Sequence, residues 1–301
     1  MSAAGSAAGS AAGYAAGSAA GSAAGYAAGS TAVVTGAARG IGRAIAERLV
    51  RERFRVLVAD LDESVRSVAE ELGADAFVGD CAGEEGGTAL VAQAMEQLGA
   101  VDVYFANAGV EAGRGLDSPE SEWTLSLEVN VMAHVRAARL LVPLWLERGG
   151  GRFVVTASAA GLLTMVGSAP YSVSKHGAVA FAEWLRVTYA GRGVVVQAIC
   201  PQGVRTRMLE QSGPVKELLS RDRALEPEEV ADTVWQALQG DAFYVLPHPE
   251  VADYYAQRAA HPDAWLSGMQ RLQAKLDAAL EESPASSAPD RTADATTRAW
   301  S

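Results

Sequence analysis

The chain has 301 residues, 49% of them apolar, 20% charged and 7% aromatic, enough for one large core or two small ones. With 36 acidic against 25 basic residues the net charge is −11, a poor balance for a nucleic-acid partner, which favours a basic face. Two cysteines, Cys81 and Cys200, cannot build a disulfide framework and suggest a reducing cytoplasm; four histidines without HExxH or CxxC spacing argue against an intrinsic metal site.

In chain order, residues 1–30 repeat Ala-Ala-Gly-Ser or Ala-Ala-Gly-Tyr every four positions. The repeat lacks a basic start and large aliphatic residues, so it does not read as a signal peptide. It has little to bury, and we expect a disordered tail. Residues 31–280 read as a single domain with a C-terminal helical extension. Strands are predicted at Thr31–Thr35, Arg55–Ala59, Ala76–Val78, Val101–Ala106, Phe153–Thr156, Val194–Ile199 and Phe243–Leu246. Helices are expected between them at Ile41–Glu52, Val65–Leu72, Gly86–Leu98, Glu120–Leu146 and Tyr171–Tyr189. About seven short, almost wholly apolar strands separated by helix-length segments predict an α/β, doubly wound parallel sheet, the Rossmann arrangement. No segment reads as a membrane span. Residues 281–301 turn to Ser, Pro, Ala, Asp and Thr and are expected to be disordered.

The first strand runs into Thr35-Gly36-Ala37-Ala38-Arg39-Gly40-Ile41-Gly42. Gly36 suits a tight turn, Gly40 a close backbone approach to a pyrophosphate, and Gly42 close helix packing, with free amides at the helix start facing phosphates. Asp60 ends the second strand 24 positions after Gly36, near the spacing at which an acid holds a ribose 2′-hydroxyl. A carboxylate there repels a 2′-phosphate and selects NAD over NADP, whereas Arg39 could pair with that phosphate. Asp80, past the third strand, is a candidate acceptor for the adenine amino group.

Tyr171 and Lys175 lie four positions apart at the start of a helix entered by Pro170. A tyrosine of pKa ~10 is a poor base at neutral pH, and an ammonium one turn away favours its phenolate. The pair is therefore a way to take a proton from an alcohol. Lysine is scarce here, with only Lys175, Lys216 and Lys275 present. Ser158, after the fifth strand, could hold the substrate oxygen. Asn130 stands inside a long helix, where an amide can open the backbone ladder.

Taken in order, Thr35-Gly36-x3-Gly40-x-Gly42, Asn107-Ala108-Gly109, Asn130, Ser158, Tyr171-x3-Lys175 and Pro201-x-Gly203-x2-Thr206 resemble the short-chain dehydrogenase/reductase family in its compact single-domain branch. The resemblance spans about Thr31 to Leu246. It implies a catalytic tetrad of Asn130, Ser158, Tyr171 and Lys175. Lys175 would also bind the nicotinamide ribose, and Asn130 would hold a relay water. It further implies that Asn107 steadies the central strand and that Val204 and Thr206 meet the nicotinamide end. Asp60 implies the NAD-preferring type. Two departures stand out: Ala106 replaces the first asparagine of the usual Asn-Asn-Ala-Gly, and Gln202 separates Pro201 from Gly203. Gln202 would lie near the substrate.

The expected substrate wall comprises Leu162, Met165 and Val166 after Ser158, with Met208 and Leu209 after Thr206. These apolar side chains point to a hydrophobic or aromatic secondary alcohol or the matching ketone, while Glu111 could add a polar contact. Trp265, Met269, Leu272 and Leu276 have helical spacing and suit core or subunit packing, or closure over a neighbouring subunit's cleft. Relatives of this type are commonly homo-oligomers, tetramers or dimers. The competing readings are an NADP-dependent ketone reductase on the same scaffold and a non-catalytic nucleotide-binding protein.

Overall fold

The structure, a computed structural model, describes residues 26–212 and 223–282. Most of the repeat, the end of the tail and Lys216 lie outside them.

Seven strands form one parallel sheet: β1 Thr31–Thr35, β2 Arg55–Asp60, β3 Asp75–Val78, β4 Val103–Ala106, β5 Gly151–Thr156, β6 Val194–Ile199 and β7 Tyr244–Val245. The order is β3-β2-β1-β4-β5-β6-β7, all neighbours parallel, with Val33 level with Leu57 on one side and Tyr104 on the other. The strands read as continuous apolar runs because both faces are covered. Alternate residues serve opposite layers: Val33, Leu57 and Tyr104 enter one core, Val34, Val58 and Phe105 the other.

The Val34 side packs on α1 (Gly40–Arg51), α2 (Val65–Leu72) and α9 (Pro227–Leu238). The Val33 side packs on α3 (Glu84–Leu98), α5 (Ala133–Arg148) and α7 (Ala169–Tyr189). The chain reverses its winding between β1 and β4, which opens a crevice at the carboxyl ends of the central strands.

The predicted helix from Glu120 to Leu146 is interrupted. It is α4 (Glu120–Leu127), a π-helical turn over Glu128–Met132, then α5. Asn130 sits at the centre of that turn, so the amide opens the ladder as its position suggested. The expected strand at Val101 starts only at Val103, because Asp102 closes a local exchange instead. Its backbone N–H donates to Thr31 Oγ1 at 3.0 Å, and its Oδ2 accepts from the Thr31 N–H at 2.8 Å. Among the described residues three further helices were not expected, α6 (Ala160–Leu163), α8 (Arg207–Gln211) and α9, while α10 (Glu250–Ala260) lies after Leu246, where a helical extension was expected. The signal for α9 was present in Pro227 at its first turn and a capping box between Glu226 and Glu229. The last helix, α11 (Pro262–Glu282), carries the apolar stripe.

Candidate active site

A cavity of about 1090 Å³ occupies the crevice. One end is the loop from β1 to α1. Gly36 has φ +65°, and a Cβ on it would lie 2.9 Å from the Ala108 backbone. A Cβ on Gly42 would lie 2.2 Å from the Gly36 carbonyl, so only glycine lets α1 sit this close to the loop. The first turn of α1 has no acidic residue, and no side chain caps its amides. Such a helix start favours an anion. Asn107 joins the two central strands here: its Nδ2 donates to the Thr35 carbonyl at 2.9 Å and the Gly36 carbonyl at 3.3 Å.

Asp60 lines the same end. Its Oδ2 accepts from the Ala38 N–H at 2.9 Å and its Oδ1 from the Asp62 N–H at 3.0 Å. Arg39 is ion-paired with Asp62, while its Nη1 is buried without a partner. Asp80 is not itself on the cavity wall, though its neighbours Gly79 and Cys81 are. It is exposed, and its Oδ1 accepts from the Ala82 N–H two residues on at 2.9 Å, a local turn bond.

At the other end Ser158, Tyr171 and Lys175 converge on the cavity. Ser158 Oγ accepts from the Ala160 N–H at 3.0 Å, and its hydroxyl is near enough to the Tyr171 phenol to favour the phenolate. Lys175 Nζ donates to the Thr156 carbonyl at 2.9 Å and lies 5.7 Å from the centre of the Tyr171 ring. Burial dominates both groups. It pushes the Tyr171 phenol up to about 12, against the Ser158 hydroxyl that lowers it and with Glu111 and Cys200 raising it further. Burial pulls the Lys175 ammonium down to about 8, with Cys200 acting in the opposite sense. The expected lowering of the phenol by its lysine neighbour does not emerge: desolvation sets the direction, and Ser158 is the group that opposes it. Thr156 Oγ1, on the same wall, is buried and unpartnered.

Asn130 does not line the cavity. It is fully buried behind it, donating to the Val110 carbonyl and to Ser174 Oγ, both at 2.9 Å. The remaining sequence-chosen residues Arg39, Gly40, Ile41, Ala108, Gly109, Pro201, Gln202, Gly203, Val204 and Thr206 all face the cavity. Gln202 is positioned by its backbone N–H, which donates to His248 Nδ1 at 3.2 Å. Thr206 Oγ1 accepts from the Leu209 N–H at 3.5 Å and caps α8.

Met165, Val166, Met208 and Leu209 line the wall as expected, but Leu162 turns into the core and Leu163 takes its place. The α11 stripe covers this chain's own cleft: Trp265, Met269 and Leu272 line the cavity. Three contacts hold this roof. Gln273 Oε1 accepts from the Gly167 N–H at 3.2 Å, Arg258 on α10 bonds the Leu162 carbonyl, and Tyr254 packs on Trp265 at 6.5 Å between ring centres. Sequence spacing found the stripe but could not tell which surface it covers. His176 is turned away from the cavity, its Nδ1 against the Ser172 carbonyl at 2.8 Å. Among the described residues no cluster of His, Cys, Asp and Glu could hold a metal ion, and no helix is long and apolar enough to cross a membrane.

A family model described as short chain dehydrogenase matches residues 30–216. The 1-deoxy-11-beta-hydroxypentalenate dehydrogenase of Streptomyces exfoliatus is 38% identical over 213 residues, 67% of this chain and 77% of the relative. A short chain dehydrogenase/reductase from Burkholderia phymatum, solved in complex with NAD, superposes with a TM-score of 0.71 at 30% identity, covering 79% of this chain and 95% of that one. Actinorhodin polyketide ketoreductase, a variant solved with NADPH, gives 0.69 at 31% identity, covering 75% and 98%. By sequence and fold together, the chain belongs to the short-chain dehydrogenase family.

Proposed function

We propose that the protein is a nicotinamide-dependent oxidoreductase that interconverts a hydrophobic secondary alcohol and its ketone, with NAD as the coenzyme. The observation that carries this reading is the meeting of Ser158, Tyr171 and Lys175 in one cavity with an uncapped glycine-loop helix start. The chain's residues fit a dinucleotide. The helix start at the Gly36–Gly42 loop has no side-chain cap and suits phosphates, Asp60 offers a carboxylate at the ribose position, and Thr156 Oγ1 offers a polar atom still lacking a partner.

When bound, the oxidised nicotinamide supplies the hydride acceptor and a positive charge. In the oxidation direction Ser158 holds the substrate oxygen, and Tyr171 takes the hydroxyl proton; in reduction Tyr171 returns it. Lys175, fixed by the Thr156 carbonyl, presents its ammonium beside the phenol, and the Ser158 hydroxyl is near enough to favour the phenolate. Asn130 positions the loop that carries Gly109 rather than touching the reacting atoms. The apolar roof from α11 excludes water and accommodates a bulky carbon skeleton. Relatives with this fold have been solved with NAD and with NADPH. The unpartnered Arg39 Nη1 in the same cavity supports NADP as a second reading, since a 2′-phosphate would satisfy it.

The test is a screen of secondary alcohols for reduced-coenzyme fluorescence with the native enzyme and Tyr171→Phe. Turnover by the native enzyme that falls by about three orders of magnitude or more in the variant supports the assignment. Equal turnover by both removes Tyr171 from the reaction.

A further inference from the structure

Beyond the reacting end, the cavity wall is largely apolar, made by Leu163, Met165, Val166, Met208 and Leu209 together with the α11 roof. Polar side chains also line it, Arg207, Gln257, His261, Arg271 and Lys275 among them, and apart from Asp60 at the nucleotide end Glu111 is its one carboxylate among the described residues. It lines the same cavity as Ser158 and Tyr171, half-buried, one residue after Val110. Val110 cannot drift, because its N–H and its carbonyl are both bonded to the Asn130 amide at 2.9 Å. Glu111 therefore springs from an anchored backbone rather than from a free loop.

Among the described residues this carboxylate has a single, long hydrogen-bond donor. Ser212 Oγ approaches Glu111 Oε2 at 3.4 Å but lies 2.9 Å from the Met208 carbonyl. A hydroxyl has one proton, and the shorter contact is the stronger, so Glu111 receives only a weak share of it. Arg114 is near enough to act on Glu111 through its charge, yet its Nη1 donates to the Ser212 carbonyl at 3.3 Å. Among the described residues Glu111 has no ion pair. Loss of water raises its pKa, with Arg114 and Ser212 opposing the rise. An acceptor kept short of donors in an apolar cavity costs stability unless a ligand supplies one. Its charge also opposes phenolate formation at Tyr171.

We propose that Glu111 is a specificity-determining residue that selects substrates bearing a second hydroxyl group, one that donates to its carboxylate while the carbinol or carbonyl sits at Ser158 and Tyr171. This rests on the oxidoreductase reading above and names the substrate class more narrowly: a bulky apolar skeleton carrying a hydroxyl remote from the reacting carbon.

The experiment measures binding of 1-tetralone and its 5-, 6- and 7-hydroxy derivatives to the full-length enzyme saturated with oxidised nucleotide, by calorimetry. At least one hydroxytetralone should bind the native enzyme about tenfold tighter than 1-tetralone. That ratio should collapse to about onefold to twofold in Glu111→Leu and be partly kept in Glu111→Gln, which retains a carbonyl acceptor. Nucleotide affinity, measured first, reports that each variant is folded. The proposal is overturned if no hydroxytetralone is preferred by the native enzyme, or if the preference survives in Glu111→Leu. Failure of the native enzyme to bind either nucleotide instead overturns the oxidoreductase reading, and this proposal with it.

Discussion

The Asn130 side chain grips the backbone of Val110 from both ends: Oδ1 accepts the Val110 N–H and Nδ2 donates to the Val110 carbonyl, each at 2.9 Å. This clamp explains why a helix predicted to run unbroken opens into a π-helical turn at Glu128–Met132, since the amide must reach across to the loop after β4. The same loop carries Gly109 and Glu111 onto the cavity wall.

Asn130→Leu should leave the buried Val110 groups unsatisfied. Stability should fall by about 2–4 kcal/mol, and turnover should fall with it because the loop loses its anchor. Urea unfolding with native and variant protein checks this; a midpoint within error of the native value removes the clamp from the account.

Lys175 is held at about 8 against an ordinary 10.5, so the folded state disfavours its charged form. The unfolded chain binds the proton more tightly, and stability must rise with pH from about 8 to 10.5 on this group's account. Lys175→Met should gain relative to the native protein below pH 8 by about 3 kcal/mol, and that gain should vanish by pH 10.5. The comparison has to be a difference, because Cys81 and Cys200, each pushed up to about 12, work in the opposite sense above pH 9. A gap independent of pH contradicts the assignment.

His134 is buried, neither ring nitrogen has a partner, and desolvation with the nearby Lys175 charge pulls it down to about 3 from 6.5. Its contribution is intact above pH 6.5 and is lost as pH falls towards 3, on the order of 5 kcal/mol in all. His134→Leu should flatten acid unfolding over that range. An acid transition as steep as the native one shows that other groups drive it.

For coenzyme choice, Asp60→Ala should reduce the preference for NAD over NADP by about tenfold or more, by removing the carboxylate that repels a 2′-phosphate. Steady-state kcat/KM with both coenzymes measures this. An unchanged ratio shifts the discrimination to Arg39 and Asp62, which already form an ion pair at the same end of the cavity.

Much of the architecture is legible in local pattern. The apolar runs at Thr31–Thr35 and Val194–Ile199 coincide with the strands, because strands covered on both faces carry no competing polar signal. Gly36, Asn107, Ser158, Tyr171 and Pro201 fall on one cavity because they stand at strand ends or helix starts, where the topology of the sheet brings them together, while Asn130 lies behind it. Side-chain direction is less legible. Leu162 and Leu163 are adjacent apolar residues in a four-residue helix, and only packing decides that the second meets the cavity. Asp80 forms a local turn bond that a spacing argument cannot see. The destination of the α11 stripe is likewise a long-range fact: its ridge suits any apolar surface, and contacts such as Gly167 with Gln273 decide which one.

The most direct test is a crystal structure of the enzyme grown with NAD and a slow alcohol. The account predicts nucleotide density running from the Gly36–Gly42 loop past Asp60 to the nicotinamide beside Tyr171 and Lys175, with the phenol oxygen hydrogen-bonded to the alcohol. Nucleotide seated outside this cavity, or a Tyr171 oxygen separated from the alcohol by protein, contradicts it.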